Sequence, residues 1–150
     1  MNDITKSIKD FKHKIKIKVR FSDLDAMRHV NNATYLSYLE EARIAYFKDV
    51  LEKPKNGLDF EAVIAKIEIN YRLPIRLGDD VEVLTRVSKM GNKSSDVEHL
   101  ILVIRNGIKA VAASALTKLV SYDYENQVSF TTPHRIKNKI EKFEKIKISS

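Results

Sequence analysis

Cysteine is absent from this chain, which excludes disulfides and thiolate metal sites. That suits a reducing compartment. No stretch approaches the ~20 apolar residues needed to span a bilayer. The opening MNDITKSIKDFKHK lacks the apolar run of a secretory leader. The expectation is a cytoplasmic protein with no membrane span. Internal repeats and low-complexity linkers are also missing. A length of 150 residues then fits a single domain over 1–150, large enough to bury a core unaided. No His, Asp and Glu residues stand at metal-ligand spacing, so no metal is expected.

What the chain does have is positive charge, unevenly placed. Its formal net charge is +7. Residues 1–20 and 135–150 hold 13 of the 27 Lys and Arg but 4 of the 20 Asp and Glu, or +9. The remainder carries 14 − 16 = −2. Basic ends attract polyanions in general, among them nucleic acid, acidic lipid, coenzyme A and an acidic carrier protein. They also serve simply as solvated surface. No RNA-binding aromatic motif or DNA-reading helix accompanies them, so nucleic acid is not the expected partner.

Alternation organises the rest. Over residues 14–21, Ile15, Ile17, Val19 and Phe21 share one face and Lys14, Lys16, Lys18 and Arg20 the other. That is a half-buried strand whose lysines would also guard an edge. After the polar SDLDAMRHVNN, Asn31 or Asn32 is the expected cap of a helix over Ala33–Leu51, which contains neither Gly nor Pro. Its apolar band is wide, so it should be largely buried. Pro54 and Gly57 are expected to stop it. Strands follow. Val63, Ala65, Ile67, Ile69 and Tyr71 alternate, and so do Val81, Val83, Thr85 and Val87. A hairpin is expected at Met90–Lys93 and a strand over Val97–Ile104. Asn106-Gly107 signals a type I′ turn before a long strand to Tyr122. A loop over 123–133 and a basic helix or tail from about 133 complete the chain. The order β-α-β-β-β-β predicts an α+β fold with one long helix on an antiparallel sheet. The sheet's far face needs cover, which a second copy would supply.

Chemistry converges where the first strand meets the helix. Asp23 and Asp25 follow the strand, and the helix N-terminus offers unpaired N–H groups and the positive end of a dipole. A carboxylate beside an oxyanion site suits acyl-group hydrolysis. Asp and Asn before a helix are, however, usually caps and turn formers.

The stretch VRFSDLDAMRHVNNATYLSYLEEAR resembles the signature of the 4-hydroxybenzoyl-CoA thioesterase-like family. Its DLDxxxHVNN portion is also similar to plant acyl-ACP thioesterases. A second block, IEINYRLPIRLGDDVEV, resembles the same family's strand signature, and KMGNKSS resembles its hairpin. The resemblance implies a hotdog fold: an antiparallel sheet of about five strands wrapped on one long central helix. It implies hydrolysis of acyl-CoA, or of an acyl thioester on an acyl carrier protein, with coenzyme A entering as part of the substrate and no separate cofactor. By position, Asp25 matches the catalytic carboxylate, as nucleophile or general base. The Asn32 backbone N–H matches the oxyanion donor, and His29 a catalytic histidine of the plant-type enzymes. Met27 and Arg28 depart from the glycines common there, and Met27 stands at a catalytic Asn of the plant enzymes. For Asp23 the expected role is structural, and the same holds for an i,i+3 pair of Glu40 with Arg43. Tyr35 and Leu39 are candidates to line an acyl pocket or pack the core. Arg72, Lys89, Gly91, Lys93 and Ser94 are candidates to meet coenzyme A phosphates. Two other functions compete: a hotdog dehydratase of 3-hydroxyacyl thioesters, and a non-catalytic module binding acyl-CoA or nucleic acid. The family's habit of pairing the strand after the helix implies a homodimer or homotetramer with sites at the interface.

Overall fold

A computed structural model describes residues 8–52, 61–145 and 147. Strand β1 (His13–Lys18) leads through a 3-10 turn (Phe21–Asp23) to helix α1 (Asn32–Leu51). Strands β2 (Ala62–Tyr71), β3 (Asp80–Met90), β4 (Ser94–Arg105) and β5 (Ile108–Asp123) follow. A short β6 (Val128–Ser129) precedes helix α2 (His134–Glu144). The sheet runs β1-β3-β4-β5-β2 with every pair antiparallel, and β6 pairs with β5. This is the α+β, one-helix-on-a-sheet arrangement that the alternation predicts.

Helix α1 forms because nothing within it breaks a helix and because Asn31 caps it. The Asn31 side chain accepts the Ala33 N–H at 2.8 Å, meeting one of the donors a helix start leaves unpaired. Twenty residues at 1.5 Å each make it about 30 Å long. Pro54 and Gly57 lie outside the described residues, but Glu52 already turns to φ 51°. Two apolar clusters flank the helix. Tyr35, Tyr38, Leu39 and Ala42 pack on Val81, Val83, Ile101 and Ala113 at its start. Tyr46, Val50 and Leu51 pack on Val87, Met90, Val97 and Leu119, with Ile136 and Ile140 of α2, at its end. Each buried Val, Leu, Ile or Met among them contributes roughly 1.5–3 kcal/mol. Asn106 and Gly107 both take positive φ, 52° and 76°, as a type I′ turn requires.

The structure departs from the alternation in four places. Phe21 does not join Ile15 and Ile17 inside: the strand ends at Lys18, and Phe21 stands 80% exposed. The Asp23 carboxylate accepts the Arg20 N–H at 2.9 Å, closing a turn that rotates Phe21 outward. Second, a bulge at Ala65 breaks the run Val63–Tyr71. Ile64 pairs with Leu119 and Ile67 with Thr117, so the inward face passes from even to odd positions. Third, the expected loop over 123–133 contains β6. Fourth, on the far face Leu84, Leu100, Leu102 and Val111 receive Ile8 and Phe11 of the same chain. Part of the cover expected from a second copy is therefore internal.

Candidate active site

The loop between β1 and α1 is built around two aspartates with different fates. Asp23 is buried, 3% exposed. Its Oδ2 accepts the Tyr38 hydroxyl at 2.7 Å and the Arg20 N–H at 2.9 Å, and its Oδ1 faces the Arg20 guanidinium at 3.3 Å. Burial pushes its carboxyl toward the neutral form. The Arg20 N–H, the Tyr38 hydroxyl and the Arg20 charge together outweigh burial and hold it below the ordinary carboxylate range. Asp23 is thus the structural member, as expected.

Asp25 is half-buried. Its Oδ1 accepts the Met27 N–H at 2.8 Å and, more loosely, the His29 N–H at 3.4 Å. Its own N–H donates to the His29 carbonyl at 2.9 Å. Among the described residues Oδ2 has no hydrogen-bond partner. One oxygen shapes the turn and the other is left for chemistry. The turn needs a left-handed residue at Arg28, with φ 63°.

The helix start completes the arrangement. The Asn31 N–H donates to the Asp23 carbonyl at 2.8 Å, and Thr34 N–H to the Asn31 carbonyl at 2.9 Å. Asn32, the first residue of α1, has an N–H with no acceptor among the described residues. A free N–H at the positive end of a helix is a donor for developing negative charge. The segment after β2 runs alongside. Val30 N–H reaches the Ile75 carbonyl at 2.8 Å, and His29 forms a bridge with Arg76. The extra residue of β5, Ala112, offers its carbonyl to the N–H groups of Arg72 and Leu73 at 2.8 and 3.1 Å. Asp79, paired with Arg105 at 2.7 Å, closes the far side of the 72–79 segment.

The structure therefore sets Asp25, His29 and Asn32 on one loop and helix start, with the segment that carries Arg72 running alongside. It does not bring Lys89, Gly91, Lys93 and Ser94 to them within one chain. The Lys93 carbonyl accepts from Ser121, and the Ala112 carbonyl from Arg72. Those positions on β5 are nine residues apart, about 30 Å. The hairpin sits at the end of α1 and the aspartates at its start. Lys93 also donates to Ser129 at 3.3 Å. A Cβ on Gly91 would stand 3.1 Å from the Ser94 hydroxyl, so that turn is tight. Tyr35 and Leu39 are buried in the cluster at the start of α1, Tyr35 donating to the Leu73 carbonyl at 3.4 Å. Arg43 is buried with no ion pair to Glu40 among the described residues, so the expected i,i+3 pair is not made. His99 is core: its Nδ1 is 3.0 Å from the Thr85 hydroxyl, and burial, then the Arg43 charge, hold it down to about 3.

Sequence reading missed Tyr38, Tyr71 and Arg20. Tyr71 donates to the Asn32 carbonyl at 2.9 Å. The only available signal was the position of Tyr71 in the IEINY block; its partner is thirty-nine residues away.

Known proteins resemble this chain in sequence and fold. Residues 19–143 match the family described as the thioesterase-like superfamily. The chain belongs to the thioesterase-like superfamily. This superfamily member is 33% identical over 135 residues to a long-chain acyl-CoA thioesterase, FadM, of Escherichia coli K12, covering 87% of this chain and 98% of that one. It is 36% identical, with a TM-score of 0.81, to a thioesterase of Thermus thermophilus crystallised with coenzyme A and zinc, over 91% of this chain and 97% of that one. A 4-hydroxybenzoyl-CoA thioesterase complexed with 4-hydroxybenzoyl-CoA superposes with a TM-score of 0.78 over 85% of this chain and 97% of that one. At 15% identity it shows the fold alone. The superfamily member is a hotdog protein.

Proposed function

We propose that the chain is an acyl-CoA thioesterase: an acyl-CoA and water give the free acid and coenzyme A. The observation that carries the finer reading is the pairing, on one loop, of the half-free Asp25 carboxylate with the free Asn32 N–H. Asp25 takes a proton from water as the water oxygen bonds to the thioester carbonyl carbon. The carbonyl oxygen becomes an oxyanion and is met by the Asn32 N–H. The tetrahedral intermediate collapses, the C–S bond breaks, and the thiolate leaves and takes up a proton. In the nucleophilic variant Asp25 attacks directly, and water hydrolyses the resulting anhydride. A rapidly quenched single turnover separates the two, because only the second passes through an acyl group bound covalently to Asp25. His29, whose N–H leans on Asp25 Oδ1, holds the turn. The reaction so written uses no metal or separate cofactor.

A homodimer fits this reading. β2 pairs with β5 on one side only among the described residues, and an open edge is a template for a second strand. Phe21, Met27, Tyr71 and Leu77 stand exposed around the site, and clustered exposed apolar groups mark contact surfaces. A second copy there, or two such dimers in a tetramer, would bring another chain's basic hairpin toward the site, with Lys89 and Lys93 for the phosphates. Whether the acyl group arrives on coenzyme A or on an acidic carrier protein is read by comparing the two carriers with one acyl chain. No helix among the described residues is long and apolar enough to cross a membrane, and we place the chain in the cytoplasm.

The test is Asp25→Asn, which keeps the size and the turn-forming oxygen and removes the charge. Loss of a positioned base lowers a rate roughly 10²–10⁴-fold. A variant that releases thiol from its best acyl-CoA at the parent rate would remove Asp25 from the mechanism. A 3-hydroxyacyl dehydratase would instead hydrate crotonyl-CoA without thiol release.

A further inference from the structure

We propose that Tyr38 and Tyr71 are positioning residues for hydrolysis: they clamp the first turn of α1 from two sides and set the Asn32 amide against Asp25. The proposal rests on the hydrolytic reading above and names residues that reading does not use.

The inner jaw starts from Asp23. A buried carboxylate is costly unless its oxygens are met. Here the Tyr38 hydroxyl, from the second turn of α1, donates to Asp23 Oδ2 at 2.7 Å. Asp23 in turn offers its backbone carbonyl to the Asn31 N–H at 2.8 Å. The helix therefore grips the loop that carries Asp25, and the loop grips the residue before Asn32. Neither bond serves the core, which closes around Tyr38 through its ring. A phenylalanine would fill the same space, so the hydroxyl is there for Asp23.

The outer jaw is Tyr71, at the end of the edge strand β2. Its hydroxyl donates to the Asn32 carbonyl at 2.9 Å. A carbonyl at the first helical position already accepts the N–H four residues on, so α1 does not need this donor. Nor does Tyr71 need the bond, since it is 45% exposed and water can serve its hydroxyl. What the bond does is join the strand end to the residue whose N–H is free. The Tyr71 ring is held for the purpose, edge-on to Tyr35 with centroids 4.9 Å apart at 84°. Tyr35 lies 6.5 Å from Tyr38. The three rings form one row from the open edge to the buried carboxylate, and its two end hydroxyls bind on either side of the Asn32 amide.

Such a clamp matters because an oxyanion donor works only when fixed beforehand at about 2.7–3.1 Å from the developing charge. A shift of about 1 Å can cost 10²-fold. Loosening the amide should therefore weaken the transition state and leave substrate binding nearly untouched.

Tyr71→Phe and Tyr38→Phe are assayed on the best acyl-CoA well below their melting temperatures. The expected result is a kcat reduced about tenfold in each, with KM within about twofold. Two inhibitors add a readout that a merely structural role would not move. A trifluoromethyl-ketone analogue of the acyl-CoA forms a tetrahedral oxyanion, and a thioether analogue does not. Both variants should weaken the ketone about tenfold and the thioether less than twofold. If Tyr38→Phe does not fold, Tyr71→Phe decides, because it loses only an exposed hydroxyl. Parental kcat in Tyr71→Phe, or equal weakening of both inhibitors, overturns the clamp. Asp25→Asn, run in parallel, separates the two claims. If it is inactive while the tyrosine variants are parental, the clamp alone fails. If it hydrolyses at the parent rate, the hydrolytic reading fails and takes the clamp with it.

Discussion

At the scale of single residues, the site depends on groups placed against their ordinary preferences. Arg28 sits at φ 63°, a region that costs a residue with a Cβ roughly 1–2 kcal/mol. Glycine there relieves that strain but gives back some entropy in the unfolded chain. Arg28→Gly should therefore raise the melting temperature by a few degrees at unchanged kcat, as calorimetry and thiol release would read. His99 makes a second prediction. In the fold its ring is held down to about 3, against 6.5 when exposed. The unfolded chain then binds a proton that the native one refuses. Stability from His99 is complete above pH 6.5 and falls as pH drops toward 3, at up to about 1.4 kcal/mol per unit. By pH 5 the loss is about 2 kcal/mol. Burial raises the carboxyl of Glu144 despite its partners, which works the other way over its own range. Urea melts at pH 7 and pH 5 on the parent and on His99→Gln isolate the histidine: the variant should lose most of the difference. At this scale the motif made Asp25 legible. It did not reveal Tyr38 or Tyr71, whose partners are fixed by chain segments that meet only in the fold.

Among the elements, α2 shows what holds a basic helix in place. It presents Ile136 and Ile140 to the cluster at the end of α1. Glu144 at its end accepts the buried Tyr46 hydroxyl at 2.6 Å, and Lys139 donates to the Leu51 carbonyl at the end of α1 at 3.0 Å. Burial is the larger effect. Ile140→Ala should cost about 2–5 kcal/mol, whereas Lys137→Gln should stay within about 0.5 kcal/mol. Equilibrium unfolding of both variants checks the order. A near-neutral Ile140→Ala would mean that α2 is not docked as described. The long strands and α1 were legible because their periods, two and 3.6, run over many residues. The bulges at Ala65 and Ala112 were not, since one extra residue leaves the composition of a strand unchanged while flipping its faces. β6 is two residues long, too short for any period.

At the scale of the whole molecule, the open edge of β2 and the exposed Phe21, Met27 and Leu77 make a prediction of their own. Sedimentation equilibrium at micromolar concentration should give the mass of a dimer or tetramer. Specific activity should fall on dilution below the association midpoint, because within one chain the hairpin is nine β5 residues, about 30 Å, from the Arg72 segment that runs beside the aspartate loop. A monomer with undiminished activity would show the single chain to be sufficient.

Read alone, the sequence determined the fold class, the family and the catalytic candidate. The fold class is written in local pattern, alternation in the strands and an uninterrupted helix; the family and the candidate Asp25 come from the resemblance of the DLDxxxHVNN and IEINYRLPIRLGDDVEV blocks to a known family. Tertiary structure alone decided which groups meet the buried Asp23, that Phe21 turns outward, and that the lysine hairpin stands at the far end of α1 from Asp25. Those outcomes rest on contacts between segments distant in the chain, such as Tyr38 with Asp23 and Tyr71 with Asn32. Closing such contacts depends on how the sheet bends and where its bulges fall, and local periodicity carries neither.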